Sequence, residues 1–278
     1  MKHAEPGAVC LLLHLPKTAG STLKHCVYDE YAVEAPAGHR WLHDGIYYFP
    51  YGFHKARRPR YTPAVREMLE RDDVRAVVGH FWFGLHRHLR GPSFYITLLR
   101  DPVDRVVSLY HHILRKESEP LHVEVASRAV TLEEFVSELG CREADNDQTR
   151  RLAGHEPPFG EVDEGLLALA KRHLDDHFAF VGVTERFDES LVALRRRLQW
   201  EYVLYLPMLV NPNRPPKSSL PPETVALIAS TTATTSRCTS TPGSSSTKQS
   251  RRRERRSTRS STPSARRTAL TSSGTRPR

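Results

Sequence analysis

The sequence predicts an α/β fold, a P-loop-like three-layer sandwich in which a central parallel sheet is flanked by helices. Short apolar runs at Val9 to Leu13, Val74 to Val78, Ser93 to Leu99 and Phe178 to Val183 are bounded by turn residues, as strands buried on both faces are. Stretches with apolar residues at helical spacing follow the first, third and fourth of these runs. Residues 1–228 are also enough chain for one domain with a substantial core.

The first run feeds His14-Leu15-Pro16-Lys17-Thr18-Ala19-Gly20-Ser21-Thr22, after which Leu23, Cys26, Val27 and Tyr31 share a helical face. A helix start placed there offers unpaired N–H groups and the positive end of its dipole to an anion. Lys17 adds charge, Thr18, Ser21 and Thr22 add hydroxyl donors, and Gly20 lets the backbone come close to the anion. The spacing is not G-x-x-x-x-G-K-[ST], because Lys17 precedes the glycine, so a different anion-carrying cofactor is implied. The bare string K-T-A-G would also suit an ordinary turn with a solvated lysine.

The second run ends in Gly79-His80, followed by Phe81-Trp82-Phe83. A histidine titrating near neutrality at a strand end is a candidate general base. The chain has fifteen histidines, and His86 and His88 are reserves with surface positions as their default reading.

The third run ends in Arg100, and Asp101 and Pro102 then read as the cap and first residue of a helix with Val103, Val106, Val107, Tyr110 and Leu114 on one face. Arg100 therefore stands at the carboxyl edge of the sheet, where open α/β sheets bind ligands and where an arginine fork matches phosphate oxygens. Ser108, two turns along and off the apolar stripe, can add a hydroxyl to the same anion. Arg105 reads as an ion-pair partner of Asp101 or Asp104.

Asp145-Asn146-Asp147-Gln148-Thr149-Arg150-Arg151-Leu152 reads by itself as a polar helix start, with ligand contact implied only by the family resemblance set out below. The fourth run leads to a helix with Leu191, Leu194 and Leu198 in the core, and Asn211 to Lys217 is proline-rich coil with Lys217 as a minor cofactor candidate. Residues 39–61, with His39, Arg40, Trp41, His43, several tyrosines and the cluster Lys55, Arg57, Arg58 and Arg60, read as a solvated loop that could also face an acidic sugar.

These motifs carry a family resemblance over most of residues 1–228. The first string resembles the H-x-P-K-[TC]-[AG]-[GS]-[ST]-[ST] loop of the sulfotransferases that include heparan-sulfate 2-O-sulfotransferases. R-D-P-x-x-R-x-x-S-x-Y from Arg100, Gly79-His80, and N-x-Q-T-R-x-L from Asn146 resemble further elements of the same family. The resemblance implies that Pro16, Lys17, Thr18, Ala19, Gly20, Ser21 and Thr22 hold the 5′-phosphosulfate of 3′-phosphoadenosine 5′-phosphosulfate (PAPS). It also makes Arg100 and Ser108 ligands of the 3′-phosphate, and His80 with Lys17 the catalytic pair for in-line sulfuryl transfer to a hydroxyl acceptor, with carbohydrate favoured. No metal is expected. The rival readings are a kinase-like nucleotide-dependent phosphotransferase with a variant phosphate loop, and an inactive PAPS-binding protein with a damaged C-terminus.

Residues 229–278 differ in kind. They hold twelve Lys or Arg against one acidic residue, so the whole-chain formal charge of +9 leaves residues 1–228 at −2. The basic character therefore belongs to the tail, and no nucleic-acid partner is expected for the folded part. Half of the tail is serine or threonine and it has no aromatic residue, so it is expected to be disordered. It also reads as a frame-shifted translation. Ser230 to Gln249 can be back-translated so that reading two nucleotides later gives an amphipathic helix containing N-x-x-D-x-x-V-Y, which resembles how the family's chains end.

No apolar run is long enough to span a bilayer and no secretory signal order is present. The four cysteines show no paired spacing, in keeping with a reducing compartment. Eukaryotic members of the resembled family are typically anchored in the Golgi, whereas this chain is expected to be bacterial and cytoplasmic.

Overall fold

The computed structural model describes residues 7–31, 46–49, 63–201, 205–206 and 215–239. The chain divides into units 1–242 and 243–278, and every described residue lies in the first. In order, the elements are β1 (Val9–Leu13), α1 (Gly20–Tyr31), β2 (Ile46–Phe49), α2 (Pro63–Leu69), β3 (Ala76–Gly79), β4 (Ser93–Leu99), α3 (Pro102–Arg115), α4 (His122–Ser127) and α5 (Leu132–Ser137). They continue with α6 (Asp147–Ala153), α7 (Glu164–His177), β5 (Phe178–Val183), α8 (Phe187–Leu198), α9 (Pro222–Thr231) and α10 (Ala233–Thr239).

The five strands form one parallel sheet in the order β2-β3-β1-β4-β5. After β1 the chain crosses to the edge strand β2, steps back to β3 beside β1, and then passes to the other side of β1 for β4 and β5. The direction of the connections therefore switches at β1, and the carboxyl edge beside such a switch is where open α/β sheets bind ligands. Side chains alternate across β1: Val9, Leu11 and Leu13 join a core with Leu152 of α6 and with Leu167 and Ala170 of α7, while Cys10 and Leu12 pack on Leu23 and Val27 of α1 and on Leu191 and Leu194 of α8. Burial on both faces explains the unbroken apolar runs. A third core joins α3, α4, α5 and α9 around Val106, Phe135 and Ile228.

Two features differ from the expectation. β2 is a strand within the stretch read as loop, pairing Ile46 with Ala76 and Phe49 with Gly79. The domain boundary expected at residue 228 falls inside α9, and α10 follows it with Thr232, Thr234 and Thr235 buried. Asn146 holds this segment by donating to Thr231 O at 2.8 Å and accepting from Thr235 N at 2.8 Å. Those are backbone groups that any sequence provides, so Asn146 can grip this stretch whatever side chains it carries.

Candidate functional site

Leu13 of β1 pairs with Gly79 of β3, so the residues that follow, His14 and His80, leave the sheet side by side. His80 Nδ1 lies 2.8 Å from His14 O, and the two rings meet at a tilt of 31° with centroids 4.2 Å apart. A carbonyl can only accept, so Nδ1 carries the proton and Nε2 of the neutral ring is the basic nitrogen.

The loop between β1 and α1 is strained. Lys17 and Ala19 have φ of 68° and 59°, a left-handed conformation that side chains with a Cβ adopt at a cost. A left-handed residue alternating with its neighbours makes successive N–H groups converge into an anion-binding nest, and here the nest leads into the first turn of α1. Arginines fix two of its carbonyls from outside. Arg100 Nη1 donates to Lys17 O at 3.0 Å, and Arg105 Nη1 donates to Pro16 O at 3.4 Å. C=O and N–H point opposite ways in a trans peptide, so the N–H groups of Lys17 and Thr18 face away from both arginines.

Burial pushes the Lys17 ammonium down to about 8; Arg100, Arg115 and Lys116 add to the fall and Glu119 opposes it. No ion pair of Lys17 occurs among the described residues. Thr18 is buried, and its hydroxyl donates to Leu15 O at 2.9 Å, so it braces the loop and leaves ligand contact to its N–H. Ser21 is half-buried and Thr22 is buried on the first turn of α1, where Thr22 N closes onto Ala19 O.

Gly20 has a further role beside the close approach expected of it. A Cβ there would lie 2.0 Å from His14 Cδ2, so the glycine makes room for the His14 ring that packs against His80. Its φ is not left-handed.

The structure thus brings Pro16 to Thr22, His80 and Arg100 to one edge. Ser108 is half-buried on α3, and its hydroxyl forms no hydrogen bond to this group among the described residues. The reserve His86 is engaged elsewhere: its Nδ1 meets Tyr95 Oη at 2.9 Å, and burial, His177 and Arg87 push it down to about 4. Lys217 pairs with Asp101 at 2.9 Å. Arg105 pairs with Asp147 at 3.3 Å in place of the expected Asp101 or Asp104. The candidates His39 to His43 and Lys55 to Arg60 lie outside the described residues.

Sequence reasoning missed several contributors. Gln148 takes Arg100 N on its Oε1 at 3.0 Å and donates from Nε2 to Arg100 O at 2.8 Å, clamping the base of that arginine as a neighbouring strand would. The signal was the Q of N-x-Q-T-R. Near Lys17, buried Glu119 bridges His112 Nε2 at 3.3 Å and Lys116 Nζ at 3.2 Å, an arrangement set by the turn after α3 and without a motif. Among the described residues no group of three or more His, Cys, Asp or Glu is placed to hold a metal.

A model of the galactose-3-O-sulfotransferase family matches residues 2–237. The chain belongs to the galactose-3-O-sulfotransferase family. Within the PAPS-dependent sulfotransferases recognised from the motifs, this is the branch that matches. Human galactose-3-O-sulfotransferase 2 is 27% identical over 206 residues, covering 68% of this chain and 48% of that protein. Bovine galactose-3-O-sulfotransferase 3 is 30% identical over 128 residues, covering 44% and 30%. The chain spans about half the length of the human relative. A crystal structure of mouse sulfotransferase SULT7A1 complexed with PAP aligns over 83% of this chain and 64% of its own at 15% identity and a TM-score of 0.38, too loose to carry geometry across.

These matches correct the cytoplasmic expectation, since homologues in the galactose-3-O-sulfotransferase family are membrane-anchored Golgi enzymes. The matched proteins are human and bovine, so they give no support to a bacterial source either. Among the described residues no helix is long and apolar enough to cross a membrane.

Proposed function

We propose that this chain moves a sulfuryl group from PAPS to a hydroxyl of a carbohydrate acceptor, with galactosides the first class to try because the matched relatives are named for that substrate. The observation that carries the reading is the strained nest of Lys17 and Ala19 beside a histidine whose Nδ1 donates to a carbonyl, which makes Nε2 the basic nitrogen.

The residues fit the donor. The N–H groups of the Pro16 to Thr22 loop and Lys17 would hold the 5′-phosphosulfate, while Arg100 and Ser108 are the candidates for the 3′-phosphate. Arg100 lies on the carbonyl side of the loop, so an anion that it holds is a different one from that in the nest, as a donor with two anionic ends requires. When bound, PAPS supplies an activated sulfuryl group with a phosphate leaving group.

The chain's own residues supply the rest. Lys17 and the loop N–H groups stabilise negative charge on the phosphosulfate oxygens from positions fixed before binding. His80 Nε2 receives the acceptor hydroxyl proton, and His14 O, accepting from Nδ1, holds the ring in that tautomer and steadies the imidazolium that results.

Calorimetric titration with 3′-phosphoadenosine 5′-phosphate (PAP) tests the donor site, with ATP and 5′-AMP as controls. Binding that needs the 3′-phosphate and is lost in Lys17→Ala and Arg100→Ala is expected. Equal binding of 5′-AMP, or binding indifferent to both substitutions, would overturn it. Transfer from PAPS to a β-galactoside, abolished in His80→Ala, tests the reaction.

A further inference from the structure

Asp147 occupies the position that N-x-Q-T-R leaves unspecified, and it is 4% exposed in the first turn of α6. Its carboxylate takes Arg105 Nη1 on Oδ2 at 3.3 Å, and Arg151 Nε on both oxygens at 2.9 and 3.0 Å. The same Arg105 nitrogen reaches Pro16 O in the nest, and Arg105 Nη2 donates to Glu143 O. In the other direction, the Arg151 guanidinium lies over the Trp82 ring at 5.3 Å, and Arg151 O accepts from Phe83 N at 2.9 Å. Trp82 and Phe83 directly follow His80 and Phe81. One carboxylate therefore connects two buried arginines, one braced on the donor loop and the other on the segment that leaves the candidate base.

We propose that Asp147 is a positioning residue of the donor site, a bracket that holds Arg105 against Pro16 O and Arg151 against Trp82 and so sets the nest and His80 at a fixed spacing. This rests on the PAPS reading given above. Asp147 touches neither reactant; it acts through the arginines. Removing its charge frees Arg105 from the geometry that turns the Pro16 carbonyl outward, and the Lys17 N–H is then no longer held toward the anion. Arg105 alone cannot keep that geometry, because its bond to Pro16 O is long and is shared with Asp147 on one nitrogen.

Asp145 provides the control. It is equally buried at 2% exposure and pairs with Arg150, with a further bond from Gly160 N at 2.8 Å, and none of these contacts reaches the loop. Asp145→Asn should therefore lower stability while leaving the donor affinity of the folded protein alone. The experiment is calorimetric titration of PAP into wild type, Asp147→Asn, Arg105→Lys, the double variant and Asp145→Asn, with unfolding curves for each. Arg105→Lys keeps the charge near Asp147 but loses the fork, so it reports even where Asp147→Asn fails to fold. Expected are PAP dissociation constants raised about tenfold or more in Asp147→Asn and Arg105→Lys, the scale of one charge-assisted hydrogen bond. The double variant should be no worse than the weaker single, and Asp145→Asn should stay within about twofold of wild type. Unchanged affinity in both Asp147→Asn and Arg105→Lys overturns the proposal, as does an equal loss in Asp145→Asn. Wild type that binds no PAP overturns the donor reading, and this inference with it, whereas wild-type binding with unmoved variants overturns this inference alone.

Discussion

Replacing Gly20 by alanine separates two reasons for a glycine in a phosphate loop. One is close approach of the backbone to the anion; the other is room for a neighbouring ring. The new Cβ would lie 2.0 Å from His14 Cδ2 and 2.4 Å from its Nε2, against an ordinary carbon contact of about 3.5–4.0 Å. An overlap of about 1.5 Å cannot be relieved by a small adjustment when the ring is buried against His80, so the cost belongs at the upper end of the ~1–3 kcal/mol seen for overpacking. Alanine returns about 1 kcal/mol, because Gly20 opens α1 with no need of a left-handed φ. The net expectation is a loss of about 2 kcal/mol in wild type. In a His14→Ala background the clash is gone, and the same substitution should stabilise by about 1 kcal/mol. Urea unfolding of the four proteins gives the coupling, expected near 3 kcal/mol with a change of sign between backgrounds. The same loss in both backgrounds would refute the steric account, and PAP affinity lost in both would restore the anion-approach account.

His80→Asn keeps a donor for His14 O but removes the basic nitrogen, so kcat should fall by about 10²–10⁴-fold while PAP affinity is unchanged; a kcat within a few-fold of wild type would remove His80 as the base. Lys17, with its ammonium lowered to about 8, should be charged in the free protein below that pH and must take up a proton to bind an anion above it. PAP affinity is therefore expected to be flat below pH 8 and to fall above it by at most about tenfold per pH unit, with proton uptake visible in buffers of different ionisation enthalpy. The ligand-free protein should show the opposite slope, gaining stability as pH rises from about 8 toward 10.5, because the unfolded chain holds the Lys17 proton longer. A chain stopped after residue 228 loses both backbone partners of Asn146 and should be at least about 2 kcal/mol less stable than one stopped after residue 239, as two lost buried hydrogen bonds imply. Sequencing the gene checks the frame-shift reading of residues 230 onward, which fails if no one- or two-base change restores an ending with N-x-x-D-x-x-V-Y.

The strands at Val9–Leu13, Ser93–Leu99 and Phe178–Val183 were legible because each is a short, mostly apolar run bounded by turn residues, the first buried along its whole length. β2 was not, since a four-residue edge strand within an aromatic and basic stretch has neither length nor alternation to mark it. In the site, the loop string and the strand-end placement of His80 and Arg100 could be read directly. Its strain could not: the left-handed backbone that propensity assigns to glycine is carried by Lys17 and Ala19. Arg105 shows the same limit for charges. Sequence offered its near neighbours Asp101 and Asp104, but the partner is Asp147, brought close by the path of the chain through α4 and α5.

Every residue of α6 is buried, although most of its side chains are polar, and its lack of an apolar stripe explains why it read only as a polar helix start. The reason for such a helix lies in what surrounds it. Where parallel strands end, the backbone leaves the hydrogen-bonded ladder, and its N–H and C=O groups need partners if they stay buried. At this edge the missing partners are groups on or tied to α6. Gln148 serves both backbone groups of Arg100, Arg105 held by Asp147 serves Pro16 and Glu143, and the carbonyl of Arg151 serves Phe83. Apolar packing could fill the same volume but would leave those groups unpaired, at about 1–3 kcal/mol each. Polar bonds are directional where apolar contacts are not, so a helix that satisfies strand ends also fixes their relative positions. A site that must hold a donor loop from one strand end and a base from the next needs that fixity, and α6 supplies it from beneath both.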